Sequence, residues 1–422
     1  MQRCKHISAS VLATVLVVSA LMLLLVFGVL ALWEADFVFF SRAGYVSQQR
    51  ANLESAFLWY KVDSTLINQL DDCNNIQLYD SLSDSRVHIS IYPWGLYEAV
   101  RVHASDPRIS SVRLFGATHP VPPLRNQCCN LWYSTKGTTL SLTGRTVLHG
   151  FLRLPRHGVQ YGQIRSVFFC GEPVETGRTA YVGTQMPALR YDVNRQIDHL
   201  FNLLSESGAW EAMPDSLAVG FCEYQPRLLN AEGVCENISV EGSAILLGNE
   251  ITIDSTCDLK DVLVVGHTIR IEDGFQGRVQ LFAEDTVIIG QEVNLQYPSG
   301  VFVRRQNPNR YLEIGANSRV EGYAIVAGEG NPDVKRRNYC QARTSVLRGL
   351  LWVDGAAQVQ GIVSGCIVAN SLVYYSTEGY YEDMAYDLTL LENPATAYPL
   401  WAFTPYERKE AGWLLNAQDS NI

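Results

Sequence analysis

The stretch ITIDSTCDLKDVLVVGHTIRIEDGFQGRVQLFAEDTVIIGQEVNL, residues 251–295, decides the fold because its apolar residues recur every six positions. Two interleaved series, offset by four residues, are apolar or small at nearly every member. The first series is Leu247, Ile253, Leu259, Val265, Ile271, Gly277, Ala283, Ile289, Leu295 and Val301, and the second is Ile245, Ile251, Cys257, Leu263, Ile269, Phe275, Leu281, Val287 and Val293. A helix would not keep a strict period of six, whereas short strands separated by turns would.

This repeat predicts a mainly β fold whose main part is a parallel β-solenoid of about 18 residues per turn, three six-residue sides to each turn. Residues 18 apart should then stack in successive turns. The expected columns are Ile253, Ile271 and Ile289, and Ile251, Ile269 and Val287. Leu281 should also point into the solenoid, while its neighbour Gln280 should face solvent.

Outward from the repeat, the other decisive stretch is VLATVLVVSALMLLLVFGVLALW, from Val11 to Trp33, which contains neither a charge nor a proline. At about 1.5 Å per residue it is long enough to cross about 30 Å of hydrocarbon. A cleavable signal peptide is the alternative, but its apolar core would be shorter and would end in small residues. Arg3 and Lys5 precede the stretch, which predicts a cytoplasmic N-terminus and an extracytoplasmic bulk.

The chain is thus expected to hold a transmembrane helix with a helical stalk and a small α+β region ahead of the solenoid. The expected segments are a cytoplasmic N-terminus 1–10, a transmembrane helix 11–33, a helical stalk 34–74, a small antiparallel β region 75–138, the first part of the solenoid 139–170, an insertion with a helix 171–224, the main solenoid 225–375 and an aromatic-rich C-terminal cap 376–422. The cap should shield the open end of the coil, because a solenoid needs its last turn covered.

Charge and cysteine usage narrow the classes of function. The 33 Lys and Arg against 43 Asp and Glu give a net charge of −10, which argues against a nucleic-acid partner because phosphate binding needs a basic surface. The ten cysteines show no pair or cluster at zinc-ligand spacing. The nine that follow the apolar stretch are interpreted as small buried hydrophobic residues, with one or two disulfides left open. We therefore expect no metal and no cofactor.

The hexads resemble those of bacterial polymer-forming, bactofilin-like β-helices and, more loosely, those of hexapeptide acyltransferases. The similarity covers roughly residues 225–375, with a weaker echo in LSLTGRTVLHGFLRLPRHGV, 140–159. The stretch IRIEDGFQGRVQLFAEDTVIIGQEVNLQYPSG is similar to segments of uncharacterised single-pass envelope proteins of bacteria, some with pilus-assembly-like N-termini. This resemblance implies a bacterial inner-membrane protein whose bulk is periplasmic.

Two classes of function are compatible with these features. The first is a membrane-anchored structural or interaction protein of the envelope, or of a pilus-like or secretion-like assembly, that contacts envelope proteins or glycans; self-association stays open. The second is a β-helix enzyme, either a polysaccharide lyase or hydrolase or an acyltransferase. His267 and acids such as Asp273, Glu284 and Asp285 lie at solenoid corners, where solvated polar residues are expected anyway. The sequence therefore favours a non-enzyme and assigns no catalytic, cofactor-binding or metal-binding residue.

Overall fold

The structure is a computed structural model that describes residues 9–62, 76–79, 85–106, 108–117, 129–175, 177–189, 191–206, 208, 210–221, 225–305, 310–328, 336–392 and 408–414. Its helices are α1 Ala9–Val62 and α2 Tyr191–Asn202, which leads into a 3-10 helix, Leu203–Ser205. The strands are β1 Ile76–Gln77, β2 Arg86–Trp94, β3 Tyr97–Ala104, β4 Ser110–Ala117, β5 Cys129–Tyr133, β6 Leu140–Thr143, β7 Val147–Leu148, β8 Phe151–Leu154, β9 Val159–Tyr161, β10 Gln163–Ile164, β11 Val167–Phe168, β12 Thr179–Tyr181, β13 Glu211–Ala212, β14 Ser216–Val219, β15 Arg227–Asn230, β16 Gly233–Cys235, β17 Ser239–Gly242, β18 Ala244–Ile253, β19 Asp258–Ile271, β20 Gln276–Ile289, β21 Asn294–Arg305, β22 Tyr311–Ile314, β23 Arg319–Gly328, β24 Tyr339–Gln341, β25 Val346–Val359, β26 Gly361–Ser376, β27 Gly379–Glu382, β28 Met384–Tyr386, β29 Leu388–Leu391 and β30 Arg408–Trp413.

The chain is mainly β, and its largest part is a parallel sheet whose strands surround a closed, barrel-like core. Both predicted columns are present as neighbours. Ile251 pairs with Ile269 and Ile269 with Val287, while Ile253 pairs with Ile271 and Ile271 with Ile289. Each partner lies 18 residues further along the chain, and all these side chains are buried.

One side of the sheet departs from that spacing at Asp261. Asp261 has a positive φ of 59°, and the register between β19 and β20 shifts between Lys260 and Val262. As a result Val264, not Leu263, is the neighbour of Leu281. Val264 and Leu281 lie in the inner core, whereas Leu263 and Val265 belong to a second apolar cluster on the outer side of the strand. The two six-residue series imply that all their members face inward. This prediction is wrong for four members that belong to the outer cluster, although all four are buried: Ile245, Leu247, Leu263 and Val265.

The outer side is buried because an antiparallel sheet covers it. Strands β1, β2, β3, β4 and β30 form this sheet in that order. Tyr97, Ala99 and Leu114 on one of its faces pack against the parallel sheet. Val100, Val102 and Phe115 on the other face pack against α1. The antiparallel sheet therefore lies between the helix and the parallel sheet. This explains why parallel strands beneath it contain continuous apolar runs such as VLVV, 262–265.

Gln280 also lies on this covered side, so the prediction that it faces solvent is wrong. Only 3% of its surface is exposed. The hydrophobic period of six assigns each residue to the inner or the outer side of a strand, but it does not report whether another part of the chain covers the outer side. The inward prediction for Ile269, Leu281 and Val287 is confirmed, because all three belong to the inner core.

Helix α1 runs without interruption from Ala9 to Val62. By length and composition it could cross a membrane, with a mean hydropathy of 3.0 over its most apolar window and the side chains of that window exposed. Towards its C-terminal end, one face of the helix is buried and the opposite face is exposed. Leu53, Ala56, Phe57 and Tyr60, spaced three and four residues apart, are buried against the antiparallel sheet. Residues 63–74 of the predicted stalk lie outside the described residues.

The order of strands in the parallel sheet differs from the order along the chain. The sequence predicts that residues 139–170 begin the solenoid and that residues 376–422 cap its end. In the structure, β5 pairs with β26 and with β8, so residues 129–154 follow the turn that contains 361–376. Strand β29 lies between β26 and β7, an internal position, and β30 joins the antiparallel sheet instead. Trp401 and Phe403 of the expected cap lie outside the described residues.

A column of glycines marks one corner of the parallel sheet. Gly349 has a φ of +131°, and a Cβ added there would meet the carbonyl oxygen of Gly322 at 1.9 Å. Gly365, its other neighbour in the sheet, has the same kind of conformation and the same close approach to Gly349. The corner thus requires residues without a Cβ both for conformation and for the spacing of successive strands.

We expect Gly349→Ala to lower the free energy of unfolding by more than about 1 kcal/mol, because the new methyl group meets strain and backbone at once. Gly183→Ala is the matched control, since nothing lies within 4 Å of a Cβ placed there. Chemical denaturation followed by circular dichroism measures both. Similar midpoints for the two variants would contradict the tight corner.

Candidate functional site

A groove of about 440 Å³ opens where the two sheets and α2 meet. The hairpin between β2 and β3 forms one wall, with Tyr92, Trp94 and Gly95. Helix α2 and the 3-10 helix that follows it form the opposite wall. The volume lies within the range of pockets that bind small molecules.

The floor of the groove comes from the covered side of the parallel sheet. Ile245 and Leu263 are buried, and Leu228 is partly buried against the same apolar cluster. On the opposite wall, Leu200 and Leu203 of the α2 region extend this apolar surface. The bottom of the groove is therefore apolar and is built from regular secondary structure.

Polar side chains surround this floor. They are Gln196, His199, Glu206, Gln225 and Ser243. Within the described part of the chain, no hydrogen bond or ion pair engages the side chains of His199, Glu206 and Gln225, which are exposed. Gln196 is engaged, because its Nε2 donates to the carbonyl oxygen of Gly95 at 2.6 Å and so ties α2 to the hairpin. The groove thus offers neutral and acidic hydrogen-bonding groups above an apolar base.

A buried clamp centred on Gln280 fixes the hairpin wall. The Leu96 N–H donates to Gln280 Oε1 at 3.0 Å, and Gln280 Nε2 donates to the Trp94 carbonyl oxygen at 3.0 Å. The Tyr323 hydroxyl donates to the same Oε1 at 2.8 Å. One side-chain amide therefore satisfies a donor and an acceptor of the hairpin backbone, as a neighbouring strand would.

The register shift at Asp261 supplies the second attachment of the hairpin. Trp94 Nε1 donates to the Asp261 carbonyl oxygen at 2.9 Å, and the Trp94 ring packs edge-on against Phe221. Two Arg278 nitrogens donate to the two carboxylate oxygens of Asp261, whose side chain is buried. Burial raises the pKa of the Asp261 carboxyl, and the Arg278 hydrogen bonds counteract that shift. The irregularity that breaks the six-residue spacing thus provides one of the contacts between the two sheets.

The polar residues predicted at solenoid corners do not line the groove. His267 is half exposed, and its Nδ1 lies against a carboxylate oxygen of Glu284 on the neighbouring strand β20. Asp273 is exposed, and its carboxylate accepts from the backbone N–H of Gln291 at 2.6 Å, as expected for a turn residue. Within the described ranges, no three His, Cys, Asp or Glu side chains are placed to bind a metal ion together.

The sequence does not predict the groove, because its parts come from three distant segments of the chain. The available signal was the run of consecutive apolar residues in ILL, 245–247, and VLVV, 262–265, which is typical of a strand covered on both sides.

Comparison with known proteins adds no further identification. No protein-family model matches the chain, and neither a curated protein nor a solved structure is significantly similar to it.

Proposed function

We propose that the chain is a single-pass membrane protein that holds a rigid β body outside the cytoplasm and acts by presenting its surface to partners rather than by catalysis. The observation that carries this proposal is the continuity of α1. One helix contains both the exposed apolar segment and the buried face that packs on the antiparallel sheet.

The attachment of the helix to the β body is both apolar and polar. Phe57 and Tyr60 contact Phe115, with the Tyr60 and Phe115 rings 4.9 Å apart. The Tyr60 hydroxyl donates to the buried carboxylate of Glu98, and Arg113 pairs with Glu54. About 24 Å of helix separates Trp33 from the first buried residue, Gln49, at 1.5 Å per residue. Such an attachment favours a fixed distance between the membrane and the β body.

For the parallel sheet we propose a β-solenoid with turns of about 18 residues. The 18-residue pairings of Ile251, Ile269 and Val287, together with those of Ile253, Ile271 and Ile289, support a regular coil. The 17-residue step at Asp261 and the longer step from Ile289 to Ile314 are local departures from it. A coil of this kind displays long, flat faces, which suit binding through several turns.

The surroundings that fit this architecture are a bacterial envelope, with the N-terminus in the cytoplasm and the β body in the periplasm. The hexad resemblance to polymer-forming β-helices and the loose resemblance to pilus-assembly N-termini support this part of the proposal. Envelope proteins or glycans are the partners that such a location makes accessible.

The membrane topology of the chain tests this proposal. Reporter fusions after Asp36 and at Ile422 should both be active outside the cytoplasm, because Arg3 and Lys5 orient the apolar segment. Replacing both cations by glutamate should reduce or invert that orientation. Cytoplasmic activity of both fusions in the unmodified chain would contradict the proposal.

A further inference from the structure

We propose that the groove between the β2–β3 hairpin and α2 is a binding site for a neutral glycan. The inference deepens the proposed function, because a site outside the cytoplasm would meet envelope sugars. It rests on four features of the groove, namely its size, its polar groups, its aromatic wall and its rigid construction.

The size admits a short oligosaccharide but not a folded protein segment of appreciable length. About 440 Å³ is comparable to other small-molecule pockets. The groove is partly open to solvent, so a longer chain can continue beyond it.

The polar groups match hydroxyl ligands better than ionic ones. Gln225 provides both donors and acceptors, Glu206 provides acceptors, and His199 provides one of each when neutral. A sugar hydroxyl is itself both donor and acceptor, so a mixed set of this kind satisfies it. Neither Lys nor Arg is among the described residues that line the groove, which disfavours phosphate or carboxylate ligands.

The aromatic wall supplies the apolar half of sugar recognition. Tyr92 is half-buried, and its hydroxyl is held by donation to the Phe221 carbonyl oxygen at 2.9 Å. The ring is therefore fixed while part of it borders the groove. A fixed aromatic ring beside amide and carboxylate groups suits a ring-shaped ligand with an apolar face and polar edges.

Hydrogen bonds within the chain fix the walls of the groove. Gln280 and Asp261 hold the hairpin, and Gln196 joins α2 to the hairpin through Gly95. A preorganised site avoids the entropic cost of ordering loops on binding. This matters for sugars, whose many hydroxyls must be desolvated.

Isothermal titration calorimetry of the full chain in lipid nanodiscs tests the inference, since detergents with sugar headgroups would compete. The probes are cellotriose and triacetylchitotriose as neutral glycans, with trigalacturonate and trilysine as anionic and cationic comparisons. We expect at least one neutral glycan to bind and neither charged probe to bind better. Glu206→Ala combined with Gln225→Ala should weaken that binding about tenfold or more, because hydrogen bonds to the ligand are lost.

The matched control is Glu272→Ala combined with Gln276→Ala, the same residue types at a surface turn away from the groove. It should bind like the unmodified chain, and both double variants should melt like it. No binding of either neutral glycan, preferential binding of a charged probe, or equal loss in the control would each overturn the inference. Calorimetry does not depend on which side of the membrane the β body occupies, so failure here is distinguishable from failure of the topology test.

Discussion

Leu281→Asp is expected to lower the free energy of unfolding by several kcal/mol. Because proteins are only marginally stable, a loss of this size is expected to prevent folding of the parallel sheet. Leu281 is fully buried and lies between Val264 and Val301 on the neighbouring strands, all within the inner core. A carboxylate there would have neither water nor a cation, so it would either stay protonated or disrupt the packing. Chemical denaturation of the full chain in nanodiscs, followed by circular dichroism, measures the loss.

The control for this substitution is Gln276→Asp on the same strand, where the side chain is exposed. Its effect should stay within about 0.5 kcal/mol, as for most surface changes. Equal losses for the two variants would show that Leu281 does not point into the core.

Gln280→Leu is expected to cost about 3 kcal/mol or more and to loosen the hairpin of the antiparallel sheet. The leucine leaves the Leu96 N–H and the Trp94 carbonyl without their buried partner and removes the acceptor of the Tyr323 hydroxyl. Each unsatisfied buried group costs about 1–3 kcal/mol. Hydrogen exchange should report the change locally, as faster exchange of the Leu96 amide.

The matched control for Gln280→Leu is Gln291→Leu, at an exposed turn of the same sheet. This variant should leave the Leu96 amide protected. Unchanged protection of that amide in Gln280→Leu would show that the clamp does not hold the hairpin.

The sequence was sufficient to predict residues of the inner core. The period of six places Ile251, Ile269 and Val287 correctly because the inward side of every strand must be apolar, whatever lies outside it. It could not show that Gln280 is buried, since a single glutamine between apolar residues is equally compatible with solvent. The hairpin at 94–97 and Tyr323, both distant in sequence, form its buried surroundings.

The order of the strands in the parallel sheet could not be predicted from the sequence either. Hexads can stack on any other hexads, so the repeat does not specify which turn follows which. The pairing of Cys129–Tyr133 with Ile367–Ala369 joins segments more than 200 residues apart. The groove could not be predicted for the same reason. Its walls and floor form only when the hairpin, α2 and the parallel sheet have come together.

The most direct test of the central claim is a cryo-electron microscopy reconstruction of the full chain in a lipid nanodisc. The account predicts one continuous helix from the bilayer to the antiparallel sheet, with a parallel coil beyond it whose strands are spaced about 4.8 Å apart. It also predicts that the coil keeps a single orientation relative to the membrane. A helix broken between Trp33 and Gln49, with the β body at variable distances from the bilayer, would contradict the account.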